Sequence, residues 1–217
     1  MNVLSHFSSR LRSYRKYRAL QLSLNGDILE KEMSKELYEE AAAYLELWRE
    51  GILVFESESE CDLVQDFFLN DWCDDEGNTC VERYAQNHGP HDRDRNIVLD
   101  AMMASRTSLF RLEAVDPRRA EIHLRDVLHG ELTTVIDFGL SQSAEAGVLL
   151  FGRVLPFPRF RMLSGASMIF PPEEQDSLAE IVERILQRSC SQEEKARRIF
   201  RKFFQRNRTR GMEVVAR

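Results

Sequence analysis

The stretch that decides the fold runs from residue 108 to residue 170, where five short segments follow one another: SLFRLEAV (108–115), AEIHLR (120–125), ELTTVID (131–137), VLLFGRV (148–154) and RFRMLSGASMI (159–169). Each segment has the length of a strand and is alternating or β-branched, which is typical of strands with one buried face. Turn-forming Gly and Pro residues separate the segments. Five strands at this spacing predict a compact antiparallel sheet or a small barrel, because a strongly bent or closed sheet hides its edges.

The hundred residues before the strands have helical periodicity instead. Residues 34–50 carry apolar side chains at helical spacing and predict a helix that Ser34 caps and Gly51 ends. Residues 52–55 are a short apolar run, either a brief strand or a buried connection. A further helix is predicted where four apolar residues form one stripe: Leu63, Val64, Phe67 and Phe68.

The residues after the strands predict two more helices. Pro171 and Pro172 end the sheet, and an apolar stripe from Leu178 to Leu186 follows. Ser191 and Glu194 have the spacing of a capping box, which predicts that the last helix begins here. The order of elements predicts an α+β fold in one compact unit, with three regions: a mostly helical acidic region (1–107), a β module (108–170) and C-terminal helices of which the last is basic (171–217).

The charges are strongly segregated along the chain. The formal net charge of the 217 residues is −6, yet residues 1–18 carry +5, residues 19–100 carry −15 and residues 101–217 carry +4. An acidic middle between basic ends suits either intramolecular pairing of the ends or two surfaces of opposite sign for two partners.

The composition is that of a globular protein, with 43% hydrophobic residues and 13 Phe. No apolar run approaches the ~20 residues of a membrane span. We therefore expect no contact with a membrane. The four cysteines follow no disulfide spacing, so we also expect a cytoplasmic protein. The basic, Ser- and Arg-rich N-terminus is either an amphipathic helix, with Phe7, Leu11, Tyr14 and Arg18 on one face, or a segment similar in composition to a transit peptide.

Several short strings in the middle of the chain resemble a known family. They are DW (71–72), GNT (77–79), ERY (82–84), SRTSLF (105–110), LRDVLHGE (124–131), GVLLFGRV (147–154) and LSG (163–165). Together, over about residues 60–170, they resemble an uncharacterised bacterial domain that often precedes a cysteine-rich SEC-C zinc motif. That zinc motif has no counterpart in this sequence, so the resemblance implies a fold more than an activity, and no zinc function is carried over.

Cys73, Cys80, His88 and His91 are the candidates for a metal site, since both residue types bind zinc. Structural zinc sites usually set their cysteines two to four residues apart, whereas six residues separate these two. We therefore expect packed thiols and solvent-facing histidines, with no metal and no other cofactor. The acidic turn at residues 74–78 lacks the ligand register of a calcium loop and is expected to be solvated.

The sequence contains no catalytic motif. His123, Asp126 and His129 lie near one turn and Ser141 and Ser143 lie downstream, but no serine stands in a G-x-S-x-G elbow. The ten glycines form neither a phosphate-binding loop nor a dinucleotide fingerprint. We therefore expect a protein that is not an enzyme.

The last predicted helix carries the strongest functional signal. Residues 193–210 hold eight cations against Glu193 and Glu194, namely Lys195, Arg197, Arg198, Arg201, Lys202, Arg206, Arg208 and Arg210. An acidic start and a basic end complement the helix dipole. Cations interleaved with phenylalanines also suit a helix that binds phosphates or an acidic protein. Because Phe200, Phe203 and Phe204 need burial, we expect the helix to dock on the acidic segment of its own chain.

These patterns favour a non-enzymatic adaptor or regulator that binds another protein in a bacterial cytoplasm. The alternative is a nucleic-acid-binding accessory factor of a defence or transcription-control system, which would use the basic N- and C-terminal helices. The third hypothesis is a metal-dependent protein built on the Cys and His residues named above.

Overall fold

Helices and one short hairpin precede the strands. The computed structural model of the protein describes residues 3–89 and 91–212, with side chains described from Ser9 onward. The first elements in these ranges are α1 (Val3–Glu32), α2 (Lys35–Tyr44), β1 (Trp48–Arg49), β2 (Ile52–Leu53), α3 (Glu58–Asn70), α4 (Cys80–Asn87) and α5 (Arg93–Met103). Ser34 caps α2 by accepting from the backbone amide of Leu37, and the predicted apolar stripe of α3 is buried.

The strands that follow close into a barrel, and two helices complete the chain. The strands are β3 (Arg106–Asp116), β4 (Glu121–Asp126), β5 (Leu132–Ile136), β6 (Leu149–Phe157) and β7 (Phe160–Phe170), in the order β3-β4-β5-β7-β6. The helices are α6 (Phe138–Ser143), between β5 and β6, and then α7 (Gln175–Leu186) and α8 (Gln192–Arg210). The α+β fold with a small five-stranded barrel is therefore confirmed.

The barrel is mixed rather than wholly antiparallel as predicted. β5 and β7 pair in parallel through Ile136 and Met162, whereas the other four neighbouring pairs are antiparallel. The reason is geometric, because a closed ring with an odd number of strands cannot alternate direction throughout. Helix α6 is not predicted from the sequence. Asp137 caps its first turn by accepting from the amide of Leu140 at 2.9 Å.

Alternate residues of the strands face opposite sides of the barrel wall. The interior is filled by one set of apolar side chains: Phe110, Leu112, Ile122, Leu124, Val135, Leu150, Leu163 and Ile169. The outer face is apolar too, because residues such as Leu109, Phe151 and Met168 pack under the helices. Burial on both faces explains why β6 is an almost continuous apolar run in the sequence.

Helix α8 buries its phenyl rings, as the sequence predicts, and they pack against both the barrel and α3. Phe200, Phe203 and Phe204 are 4%, 0% and 1% exposed. The ring of Phe203 lies 4.3 Å from that of Phe151 on β6, and the ring of Phe200 lies 4.5 Å from that of Phe67 on α3. One hydrophobic core thus contains residues of all three predicted regions.

Helix α1 forms a second core with α4, α5 and the barrel. Leu11 and Tyr14 pack in this core, as the predicted amphipathic face requires, whereas the side chain of Phe7 lies outside the described residues. Arg18 instead donates to the carbonyls of Leu163 and Ser164, both at 2.7 Å. It therefore binds α1 to the backbone of β7.

The helix predicted over residues 34–50 ends earlier, at Tyr44. Glu46 adopts a φ of 62°, which a right-handed helix does not allow. Glu50 and Gly51, with φ of 51° and 80°, form the two-residue turn of the β1–β2 hairpin. Trp48 consequently lies on a strand and is 40% exposed, although its spacing places it on the apolar face of the predicted helix.

A buried ion cluster joins the barrel to α3. Arg153 on β6 is only 6% exposed, and it donates to Asp66 at 3.0 Å, to Asp71 at 2.5 Å and to the hydroxyl of Ser105 at 3.4 Å. Burial alone lowers the pKa of Arg153, but the charges of Asp71 and Asp66 outweigh it and raise the pKa above its ordinary value. Arg153 therefore remains charged inside the protein.

Candidate functional site

A basic groove lies between α7 and α8, next to the end of α2. Its volume is about 590 Å³. Its lining includes three apolar or aromatic residues, five cations and two carboxylates: Tyr44, Ile181, Ile185, Arg184, Arg188, Arg198, Arg201, Lys202, Glu46 and Glu194. The groove therefore combines an apolar component with an excess of positive charge.

Each wall of the groove is set by an amphipathic helix. Helix α7 buries Leu178, Val182 and Ile185 and leaves Arg184 exposed on its outer side. Helix α8 begins at the cap of Ser191, whose hydroxyl accepts from the amide of Glu194 at 3.2 Å. Because the two apolar stripes face the body of the protein, the cations lie toward solvent, where those of both helices line the same groove.

The cations of the groove differ in how far they are neutralised. Arg198 donates to Glu194 at 2.6 Å. Arg201 pairs with Glu46, and this hydrogen bond lowers the pKa of the Glu46 carboxyl below its usual range. Arg201 also lies 5.0 Å above the ring of Tyr44. Arg201 therefore helps to hold α8 on the end of α2, whereas the ion pair of Arg198 lies within α8 itself.

Two other cations of the groove have no carboxylate partner. Lys202 donates to the amide oxygen of Gln205 at 3.2 Å, and Arg188 is exposed just beyond the end of α7. Neither forms an ion pair with any residue in the ranges that the structure describes. Arg188 and Lys202 are thus the groove charges that the fold itself does not use.

The remaining cations predicted on α8 lie away from the groove. Arg206 donates to Glu174 at 2.7 Å, and Arg208 donates to Glu60 at 2.7 and 2.9 Å. Arg197 lies 5.2 Å above the ring of Trp72, Lys195 lines a smaller cleft, and Arg210 is exposed at the helix end. Of the eight cations predicted on the last helix, only Arg198, Arg201 and Lys202 thus line the groove. Arg184 and Arg188 line it as well, and they are not predicted from the sequence.

The predicted docking of the basic helix on the acidic segment is confirmed. Glu46 and Glu60, the partners of Arg201 and Arg208, both belong to the acidic residues 19–100. One N-terminal cation behaves similarly, since Lys16 pairs with Asp94 in the same segment, whereas Arg10 pairs with Glu121 of the barrel. Much of the segregated charge is therefore neutralised within the molecule.

The cysteines proposed as metal candidates are packed thiols. Cys73 and Cys80 are 7% and 1% exposed. Burial raises the pKa of the Cys73 thiol to about 11, and burial likewise raises the pKa of Cys80. In residues 3–89 and 91–212, no group of three or more His, Cys, Asp or Glu side chains is arranged to hold a metal ion.

The histidine candidates are half-buried, and the expectation of solvent-facing rings is wrong. His91 stacks on the ring of Tyr84, with ring centres 5.3 Å apart and an interplanar angle of 1°. His88 lies 2.8 Å from a carboxylate oxygen of Glu32 and also contacts Tyr84. The large face of Tyr84 explains the packing of both rings.

The catalytic candidates do not form a charge-relay arrangement. His129 lies 3.1 Å from Asp126, but it is mostly exposed. His123 contacts a threonine of the neighbouring strand at 3.0 Å. The hydroxyls of Ser141 and Ser143 donate to carbonyls of their own helix, α6, at 3.2 and 3.0 Å. Neither serine is therefore poised as a nucleophile beside a histidine.

The comparisons with known proteins yield one match. A family described as a family of unknown function, DUF7986, matches residues 8–217. No curated protein and no solved structure matches the chain. The expected likeness to an uncharacterised domain is confirmed at this level, and the link to SEC-C zinc motifs stays a prediction. Among the described residues, no helix combines the length and the apolar character that crossing a membrane requires.

Proposed function

We propose that this chain, which belongs to the family of unknown function DUF7986, is a non-enzymatic interaction protein that binds an acidic, partly apolar segment of a protein partner in the α7–α8 groove. The observation that carries the proposal is the excess of cations around Tyr44, Ile181 and Ile185. Such a surface complements a segment with carboxylates and apolar side chains, because opposite charges steer the encounter while apolar contacts provide affinity. An adaptor or regulator in the cytoplasm would use a site of this kind.

Exposed apolar side chains next to the groove favour a protein partner. Trp48 and Ile52 on the β1–β2 hairpin are 40% and 67% exposed, and the hairpin begins two residues after Glu46 of the groove. Leu186, which follows Ile185, is 48% exposed. Trp, Tyr and Arg are the residues that contribute most to binding at protein interfaces. The hairpin therefore extends the proposed interface beyond the groove.

The nucleic-acid alternative is less favoured by the same contacts. Arg201 covers the ring of Tyr44, the aromatic side chain in the groove on which a base would stack. Arg206 and Arg208 are paired with carboxylates, and Lys16 at the other end of the chain is paired with Asp94. In residues 9–18 and 193–210, the cations that form no ion pair and no hydrogen bond to a carbonyl are Arg12, Arg15, Lys195, Lys202 and Arg210. Two cations near the N-terminus and three on α8 are thus left for phosphates, and they lie on two different helices.

The test measures binding of a synthetic acidic peptide of about 15 residues, about four helical turns, with leucines at helical spacing. We expect Arg188→Glu combined with Lys202→Glu to weaken binding at least about tenfold, because two attractions become repulsions. These two residues are chosen because neither forms an ion pair in the described part of the chain. The matched control is Arg93→Glu with Arg118→Glu, which reverses two exposed cations outside the groove and should leave binding unchanged.

Two further probes separate the alternatives. The same peptide with glutamine in place of its acidic residues should bind weakly. A single-stranded oligonucleotide should bind more weakly than the acidic peptide. If the oligonucleotide instead binds tightly, and its affinity falls on the order of 10³-fold between about 50 and 200 mM salt, the nucleic-acid function replaces the proposed one.

A further inference from the structure

One end of the barrel opens into a cavity of about 260 Å³. The cavity lies where β3, β5 and β7 begin and where β4 and β6 end. Its apolar lining includes Phe110, Val154 and Pro156. Small-molecule sites are often found in the mouths of β-barrels, and this volume is slightly below their usual range of about 300–1,000 Å³. The cavity therefore has the size for a small organic molecule.

Two hydroxyl groups around this cavity are buried and unpaired. Ser108 is 4% exposed, and it lies on the face of β3 that also points Phe110 into the barrel. The oxygens of Ser108 and Thr133 have no hydrogen-bond partner anywhere in residues 3–89 and 91–212. Buried hydroxyls in proteins nearly always have a partner. Two unpaired ones at one cavity point to a ligand with polar groups.

Two arginines at the mouth are available to bind an anion. Arg106 and Arg161 lie opposite Val154 and Pro156 of β6, on the two strands that flank β6. Neither arginine forms an ion pair within the described ranges. Two carboxylates also line the cavity: Asp126 accepts from two backbone amides and contacts His129, and Glu131 forms no ion pair within the described ranges. An anion would therefore bind at the two arginines, away from these carboxylates.

We propose that the barrel mouth binds a small organic carboxylate. Its acid group would lie between Arg106 and Arg161, since guanidinium groups bind carboxylates strongly through charge-assisted hydrogen bonds. Its apolar body would contact Phe110 and Val154, and a polar substituent would reach Ser108. This site is separate from the α7–α8 groove, because the two share no lining residue. The proposal of this site therefore does not depend on whether the groove binds a protein partner.

The test titrates the full chain with phenylpropionate, phenethylamine and phenylpropanol, which share an apolar body and differ in charge. Binding is followed by NMR shifts of Phe110 and Val154. We expect phenylpropionate to bind, and Arg106→Gln with Arg161→Gln to weaken this binding at least about tenfold. The control Arg93→Gln with Arg118→Gln should leave it unchanged. Absent binding of phenylpropionate, or equal or tighter binding of the amine or the alcohol, overturns the proposal.

A second variant, Ser108→Ala, separates a binding role from a structural one. Because the hydroxyl has no partner within the described chain, its removal should leave the thermal unfolding midpoint unchanged or raise it. Affinity for a hydroxy or keto derivative of phenylpropionate should nevertheless fall several-fold. A midpoint lowered by more than about 3 °C, or an unchanged affinity for these derivatives, would count against the assigned role of Ser108 and overturn the site as described.

Discussion

Arg153 and the unpaired cations of the α7–α8 groove carry the same positive charge, but Arg153 is buried and the groove cations are exposed. Arg153 is 6% exposed and touches two carboxylates, at 3.0 and 2.5 Å. Arg188 and Lys202 are exposed and have no carboxylate partner in the part of the chain that the structure describes. Burial and pairing, and not the number of cations in a segment, thus distinguish a charge that holds the fold from one that is free to bind.

Buried and exposed cations also differ in how much they contribute to the free energy of unfolding. Removing one member of a buried ion cluster leaves the other charges without water and without a partner, so the loss is large. An exposed cation exchanges contacts with water and salt, so its contribution to stability is small. We therefore expect stability to depend on Arg153 and on the paired arginines of α8, and binding to depend on the groove.

The largest expected effect is at the buried cluster. Arg153→Met should lower the free energy of unfolding by about 3–5 kcal/mol, because Asp66 and Asp71 would remain buried without their counter-ion. Urea denaturation followed by circular dichroism measures this loss. In a background with Asp66→Asn and Asp71→Asn, the same substitution should be much less harmful. Equal losses in both backgrounds would mean that Arg153 acts through packing alone.

A smaller loss is expected at Arg208, which is partly buried. Its hydrogen bond with Glu60 raises the pKa of Arg208, and the Glu60 side chain is 3% exposed. Arg208→Met should therefore lower the free energy of unfolding by about 2 kcal/mol, as expected when a buried carboxylate loses a charged partner. The same denaturation experiment applies. A loss below about 0.5 kcal/mol would place Arg208 with the free surface charges.

The sequence predicts well what depends on local periodicity. The five strands and the helices α3 and α8 follow from the spacing of apolar residues, such as Phe200, Phe203 and Phe204. The same periodicity wrongly places Trp48 on a helix. Its helical spacing does not reveal the left-handed backbone at Glu46, beyond the early end of α2. The parallel pairing of β5 with β7 follows only once the barrel is known to close.

The candidate sites depend on contacts that are distant in sequence. Arg153 is 87 residues from Asp66 and 82 from Asp71, so no local pattern marks it as a buried ion. The groove combines cations of α8 with Arg184 of α7 and with Arg188 just beyond the end of α7, and the sequence pattern does not group these residues together. The barrel mouth likewise joins strands from both ends of the β module. A count of charges on one helix therefore overestimates how many of them share one site.

The most direct test of this account is the stability of the groove variant Arg188→Glu with Lys202→Glu. Both residues lie in the groove without an ion pair in the described part of the chain, so we expect its free energy of unfolding to fall by less than about 1 kcal/mol. About half of that comes from placing a negative charge beside the C-terminus of α7. Urea denaturation of this variant and the parent, in parallel, measures the difference. A loss above about 2 kcal/mol would show that the groove cations hold the fold, which contradicts their assignment to binding.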